Sequence, residues 1–442
     1  MNDDTPYILA FDLGSTKIIG AVAQKTEEGL LNIIAYEEEA TKENAIKKGT
    51  IFNISDTAFH INSIVTKLRN KSKLNLTKAY VGLGGEFLQC TYNITKRILG
   101  TDEIVTDSLI ETLYQENFKL HSPKFEILDV ITQEFLVDDE LISNPVGIDC
   151  TCLEGRYKII HTKSLTIQSF EKVRTIIKEK SNIEIIGTLT APIATANGLI
   201  TSDEKELGCM VIDFGGGTTS YSLFTKGYLR EAGIIPLGGK TVTNDIRELN
   251  LLESQAEKLK KKLGSALACL EVPDKKIIIA RAENQNEEKS VQSSFLAEII
   301  EARVTEIVNF FLTPLQQKGY FRQLGAGIVI TGGGSQLNKI NELMRSLTGL
   351  DVRNSIGNHL LDKETMPEAF MNPAYSQIVG LLSMGTENCI TEEKPIQKEE
   401  KGKKVKQQAT SEKTGFKSRI YGLVDGTTKR LVTLFDDKEE SI

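Results

Sequence analysis

Two copies of one glycine-rich turn, about 200 residues apart, constrain this 442-residue chain more than any other feature. The first reads Phe11-Asp12-Leu13-Gly14-Ser15-Thr16-Lys17 and the second Asp213-Phe214-Gly215-Gly216-Gly217-Thr218-Thr219. Apolar runs flank each turn (Tyr7 to Ala10 and Ile18 to Ala23; Cys209 to Ile212 and Tyr221 to Phe224), so each predicts strand, turn, strand. Such a turn bares several backbone N–H groups with no Cβ in the way, and it can wrap an oxyanion such as a phosphate. Asp12 and Asp213 stand at strand ends, placed to hold a magnesium ion directly or through water. A single Asp-Gly hairpin is most often only a turn, its Asp a turn-stabilising residue. The duplication points instead to two related half-domains that clamp one nucleotide from both sides.

Composition narrows the setting. The length suggests roughly two to three domains, and a 40% hydrophobic fraction is ample for real cores. A net charge of −7 argues against broad nucleic-acid binding, which wants a basic face. Of six cysteines, Cys90, Cys209 and Cys269 lie in apolar surroundings and read as reduced core residues. Cys150-x-Cys152 is the only close pair, which makes a zinc site a poor reading. The thiols fit a reducing cytoplasm. The start, Met1-Asn2-Asp3-Asp4, lacks a signal-peptide pattern, and no apolar run approaches the ~20 residues of a spanning helix.

The texture changes along the chain. Residues 1–83 read as strands followed by a helix with apolar spacing at Phe59, Ile61, Ile64, Val65 and Leu68, then a buried strand from Ala79 to Leu83. Residues 84–162 read as a small inserted α+β unit, with short strands at Glu126 to Ile131, Glu134 to Val137 and Tyr157 to Ile160 near a helix from Asp107 to Phe118. Residues 163–385 return to alternating strands and helices. Residues 386–414 are charged, polar and poor in large apolar groups, the composition of a disordered linker. As a flexible coil its 28 residues from 387 on would span roughly 30 Å. Within 415–436, Phe416, Ile420, Leu423, Val424, Leu431, Leu434 and Phe435 recur at helical spacing, flanked by Lys417, Arg419, Lys429 and Arg430. That is the pattern of an amphipathic helix lying in an anionic lipid interface. Its plainer reading is a helix that docks on protein. Gly422 and Gly426 cost ~1 kcal/mol each in a helix interior, so the helix forms on contact with a surface.

Three further stretches suit a nucleotide. Ile328 to Thr331 runs into Gly332-Gly333-Gly334-Ser335, where a ribose or flat ring could lie against the backbone. Ala256 to Gly264 reads as a helix end on which Glu257 and Lys260 or Lys261 share a face, a carboxylate for ribose hydroxyls and a lysine stem for adenine. Gly238 and Gly239 form a close-approach pair before another helix. Each alone is an ordinary turn or a solvated lysine run.

The order of these elements resembles the actin, sugar kinase and heat-shock chaperone ATPase superfamily: phosphate hairpin, connecting helix, second hairpin, Glu/Lys helix, glycine turn. Ala191 to Gly198 and Pro373 to Gly380 would be the two connecting helices. Within the superfamily the chain is most similar to the FtsA family. The resemblance is carried by Gln133-Glu134-Phe135-Leu136-Val137-Asp138 with Asn144 to Ile148, by Asp203 to Gly208 ahead of the second hairpin, by Ile235 to Gly239, and by the helix ending at Gly264. It covers essentially the whole chain. It implies an α/β fold of two actin-like halves, each ribonuclease H-like, with an inserted α+β subdomain and a C-terminal membrane helix. It also implies ATP and Mg2+ as ligands and a peripheral place on the cytoplasmic face of the membrane at the division site. The implied partners are the FtsZ C-terminal tail, other copies of the chain in filaments, and later divisome proteins through the insertion. The FtsZ tail would dock within roughly residues 240–330. Relatives place Glu-Pro at the start of the first connecting helix; here Ala191-Pro192 stands instead, so ATP binding with at most slow hydrolysis is expected. Two other readings share the fold, a type IV pilus assembly ATPase and a small-molecule kinase. The amphipathic tail speaks against the first, and the lack of a catalytic Asp motif in 84–162 against the second.

Overall fold

The computed structural model describes residues 5–100, 103–120, 122–268, 274–279 and 289–391. Two five-stranded sheets with the same internal order form its frame. In the first, β1 (Tyr7–Leu13), β2 (Lys17–Lys25) and β3 (Leu31–Ala40) make an antiparallel meander. The small hairpin β4 (Ile46–Lys47) and β5 (Thr50–Ile51) leads into α1 (Ile54–Ser72). Then β6 (Lys78–Leu83) pairs parallel to β1. The second sheet repeats the plan with β12 (Cys209–Phe214), β13 (Thr219–Thr225), β14 (Tyr228–Ile235), β17 (Ile328–Thr331) and β18 (Val352–Asn354), in the order β14-β13-β12-β17-β18, which matches β3-β2-β1-β6-β11 of the first, where β11 is Glu184–Thr190. Duplicated turns thus sit on duplicated sheets, each at the C-terminal end of a central strand.

Between β6 and the last strand of the first sheet the chain makes a separate layer. Strands β7 (Gln89–Ile98), β8 (Phe125–Val137), β9 (Glu140–Ile142) and β10 (Cys152–Lys163) form an antiparallel sheet, with α2 (Asp107–Phe118) nearby. Its own core gathers Leu113, Phe135, Leu153 and Tyr157. Thr106 caps α2 by accepting from the Leu109 N–H at 3.1 Å, which satisfies one of the unpaired donors of the first turn. The two short runs expected at 126–137 are one continuous strand. After α3 (Ser164–Ser181), β11 (Glu184–Thr190) returns to the first sheet, parallel to β6.

The first connecting helix is α4 (Ala191–Leu199), followed by α5 (Ser202–Leu207), β12 (Cys209–Phe214), β13 (Thr219–Thr225) and β14 (Tyr228–Ile235). Helices α6 (Gly239–Arg247) and α7 (Glu253–Leu263) follow, then the two-stranded β15 (Lys276–Ile279) and β16 (Lys289–Gln292), and the long α8 (Ser293–Gln317). The chain closes with β17 (Ile328–Thr331), α9 (Ile340–Thr348), β18 (Val352–Asn354) and α10 (Ser376–Met384). Helices α4 and α10 cross so closely that a Cβ on Gly198 would lie 2.8 Å from Gly380 Cα. Small residues on both helices are what such a crossing requires.

Three expectations shift. Phe59, counted on the apolar face of α1, is 68% exposed, while Ile61, Ile64, Val65 and Leu68 are buried. Cys90 is half-buried beside the Lys158–Glu231 ion pair, where burial pushes its thiol up to about 11; it is not in a purely apolar site. The expected linker begins later than 386. The Cys389 N–H donates to Tyr7 O, its carbonyl accepts from the Thr77 and Lys78 N–H groups, and its side chain is buried. Tyr80 Oη accepts from the Thr386 and Glu387 N–H groups. Residues 386–391 are therefore a strap across the base of the first sheet. Residues 392–414 of the linker and the amphipathic segment 415–436 lie outside the described residues, as does Cys269.

Candidate functional site

The two turns meet tip to tip. A Cβ on Gly217 would lie 2.7 Å from Ser15 Oγ, and one on Gly216 would overlap Thr16 Cγ2. Only glycine permits this approach. Hydrogen bonds brace each turn. Thr41 Oγ1 donates to Gly14 O at 2.7 Å, and the Gly49 N–H donates to Ser15 Oγ at 3.0 Å. In the second half the Gly239 and Lys240 N–H groups donate to Gly215 O and Gly216 O at 2.9 and 2.8 Å. Lys240 Nζ reaches across to Ser15 O at 3.2 Å, so α6 touches both turns.

Asp12 and Asp213 lie within electrostatic reach of one another at the ends of β1 and β12. Burial pushes Asp12 up to about 7, with a further rise from the Asp213 charge; Lys17 and a hydrogen bond from Gln377 pull it back. Burial pushes Asp213 up to about 6. Both residues keep some surface open to solvent, so the cause is protein packed around the carboxylates rather than full enclosure. Paired carboxylates short of countercharge are a donor set that suits a hard divalent cation. Among the described residues no group of three or more His, Cys, Asp or Glu could hold a metal, so other ligands would come from water or a bound phosphate.

The glycine turn after β17 closes on the same place. Gly332 takes φ +84°, and an added Cβ would overlap Asp213 Oδ1. A Cβ on Gly334 would lie 2.9 Å from Phe214 Cβ, whereas Gly333 faces open space. Glu257 on α7 joins α6: its Oε2 accepts from Thr243 Oγ1 at 2.5 Å and pairs with Lys260 Nζ at 2.7 Å, and its Oε1 pairs with Lys261 at 3.2 Å.

Not every expected residue offers its side chain to the cleft. Thr219 is fully buried, with Oγ1 donating to Leu237 O at 3.0 Å, and buried Ser335 donates to Gly332 O at 2.8 Å. Both shape turns. Lys260 is spent on Gly239 O and Thr243 Oγ1, both at 2.8 Å, and on Glu257, which leaves Lys261 as the more exposed cation of the pair. Lys17 turns to Glu38 Oε2 at 2.6 Å. The structure adds residues that the motifs did not mark. Gln377 Nε2 donates to Asp12 Oδ1 at 2.5 Å, and Thr41, Gly49 and Lys240 brace the first turn. Gln377 lies within the predicted second connecting helix, which was the one signal for it. Ala191 opens α4 with no carboxylate in its first turn, as expected.

Comparison with known proteins identifies the family and the fold. Residues 210–380 match the family model of cell division protein FtsA, and residues 85–161 match the SHS2 domain inserted in FtsA. The cell division protein FtsA of Porphyromonas gingivalis is 30% identical over 341 residues, 76% of this chain and 70% of that protein. Those of Pseudomonas aeruginosa and Escherichia coli K12 are each 26% identical, over 86% and 89% of this chain and 89% and 94% of theirs. In fold, the chain is similar to a type IV pilus biogenesis complex of PilM and PilN (TM-score 0.57, 13% identity, 85% of this chain and 97% of that one). It is also similar to MreB5 of Spiroplasma citri (TM-score 0.50, 13% identity, 85% and 94%). The duplicated sheets, the layer inserted after β6 and these matches together establish an actin-like fold, and the chain belongs to the FtsA family of cell division proteins.

Proposed function

We propose that the chain is an ATP-binding, actin-like scaffold that polymerises on the cytoplasmic face of the membrane, anchors the FtsZ ring and recruits later divisome proteins through the inserted subdomain. The observation that carries this reading is the meeting of two related Asp-x-Gly turns, from two sheets of the same strand order, beside one pair of carboxylates. The bound nucleotide would lie between Gly14–Lys17 and Gly215–Thr218, with its adenosine end toward Gly332–Gly334 and Glu257. The MreB5 neighbour was solved with ADP, which supports a nucleotide in this fold. Asp12 and Asp213 would hold Mg2+, which neutralises phosphate charge when bound. With Ala191 in place of an acidic residue, no side chain at the start of α4 positions a water, and hydrolysis is slow at most.

A cavity of about 450 Å³ within the expected docking region is lined by Leu249, Val291 and Phe295, with Glu248 at its rim. A partly apolar groove of this kind suits the FtsZ tail. Among the described residues no helix is long and apolar enough to cross a membrane. Attachment is assigned to the amphipathic segment 415–436 on its apolar spacing and basic flanks.

Liposome cosedimentation with and without Mg-ATP tests the scaffold. The full chain is compared with one ending at Thr391, which keeps the strap on the first sheet. Tail-dependent pelleting with ATP-dependent filaments under the electron microscope is expected. Changing Phe416 and Phe435 together to Glu should abolish pelleting; unchanged pelleting refutes the tail assignment. Nucleotide binding with neither lipid binding nor filaments would favour the pilus-type reading.

Magnesium has its own signature. Asp12 and Asp213 hold protons more tightly folded than unfolded. Their contribution to stability is therefore full below the unfolded value near 4 and is lost as pH rises through about 6 and 7. A cation bound between them offsets that loss. Stabilisation by Mg2+ in thermal melts should grow between about pH 5 and about pH 8 and be much reduced in Asp213→Asn. A pH-independent magnesium effect would rule out these ligands.

A further inference from the structure

The first turn of α10 touches both halves of the cleft at once. Gln377 donates to Asp12 on β1. Ser376 shares a buried hydrogen bond with Thr331 Oγ1 on β17 at 2.7 Å, and the Gly332 N–H donates to Pro373 O at 3.2 Å. Just before α10, Tyr375 Oη donates to Glu38 Oε2 at 2.7 Å. That same oxygen takes the Lys17 ammonium at 2.6 Å, and the ammonium also sits 3.9 Å from the Tyr375 ring centroid. Lys17 begins β2 directly after the Gly14-Ser15-Thr16 turn, and it lies close enough to Asp12 to lower that carboxyl. An ammonium beside a phosphate turn is therefore held by an ion pair whose Glu38 partner is 45% exposed. Such a pair contributes little and is readily given up. A polyphosphate in the turn offers several negative oxygens and a stronger, charge-assisted contact.

We propose that Lys17 has two positions, one on Glu38 and Tyr375, as seen here, and one on a β- or γ-phosphate oxygen, taken when a nucleoside polyphosphate binds. The move removes the cation from the Tyr375 ring and leaves Glu38 held by the Tyr375 hydroxyl alone. This loosens residues 373–377 and so reports phosphate occupancy to α10, the helix that crosses α4 between the two halves. The idea rests on the nucleotide reading above. Glu38 and Tyr375 are positioning residues in it; neither touches the nucleotide.

The test measures ATP and AMP affinity by fluorescence titration, together with amide hydrogen exchange across α10, in wild type, Lys17→Ala, Glu38→Gln and Tyr375→Phe. AMP fills the adenosine end without reaching the phosphates that Lys17 would hold. Loss of one charge-assisted contact should weaken ATP roughly 10- to 100-fold in Lys17→Ala, with AMP little changed. Glu38→Gln frees the ammonium and should tighten ATP about threefold or more, again sparing AMP. In wild type, ATP but not AMP should raise exchange in the first turn of α10; the rise should vanish in Lys17→Ala and persist in Tyr375→Phe. If wild type binds no nucleotide, both readings fall. If it binds ATP well but the ATP to AMP ratio is the same in Glu38→Gln and Lys17→Ala as in wild type, the nucleotide reading stands and the two-position lysine is wrong.

Discussion

Gly216→Asp is expected to cut ATP affinity by at least ~100-fold, the scale of one badly placed charge against a phosphate in a partly desolvated site. Two effects combine. Any Cβ at residue 216 overlaps Thr16 Cγ2, so the Thr16 side chain must turn aside or the two turns separate before a side chain fits. The added carboxylate then enters a site where Asp12 and Asp213 already ionise with difficulty, both pushed up to about 7 and about 6. Titration with a fluorescent ATP analogue reads the loss, and a thermal melt close to wild type shows that the fold survives. Wild-type affinity in this variant would remove the second turn from the nucleotide site. Gly333→Ala is the graded companion. Its Cβ meets nothing within 4 Å, so stability should hold while the adenosine end of the ligand is crowded.

Gly380→Ala is expected to lower stability by roughly 3 kcal/mol, the cost of forcing an extra group into a packed contact. Helix propensity alone argues the reverse, since Ala in place of Gly in a helix interior gains ~1 kcal/mol. The sign is set by position. A Cβ at residue 380 overlaps the Ala194 carbonyl, which is backbone and cannot rotate aside, and α4 and α10 must separate. Differential scanning calorimetry should show the main transition falling by several degrees, at ~2–4 °C per kcal/mol for a domain of this size. A melting temperature at or above wild type would mean that the crossing is looser than the structure places it. Separation of the connecting helices should also weaken ATP binding, although residue 380 is not among those proposed to meet the nucleotide.

Much of the frame was legible in the residues. The duplicated turns stand out because phosphate-type turns need glycine at fixed offsets from a strand end, and both turns fell where expected. The inserted unit was visible as a change of texture after Leu83, and its helix has the expected bounds, Asp107 to Phe118, where Thr106 caps the first turn. The small residues of Ala191–Gly198 and Pro373–Gly380 announced a close crossing. Side-chain direction was less legible. Thr219 and Ser335 look like ligand hydroxyls in the motifs, but Thr219 finds the Leu237 carbonyl that folding brings beside it, and Ser335 turns back on the Gly332 carbonyl of its own turn. Cys389 looked like linker because its neighbours are polar. Its burial comes from Tyr7 and Thr77, more than 300 residues away in the chain.

The sequence by itself determined where the strands end, which turns must be glycine and which helices can touch, because these depend on backbone geometry and on residues close by in the chain. Only the tertiary structure decided which polar groups from distant segments meet. Lys17 rests on Glu38 and Tyr375, Gln377 reaches Asp12, and Lys260 is held by Gly239 and Thr243. A long polar side chain settles wherever countercharge is nearest in space, and that partner is supplied by segments that only the closed fold brings together.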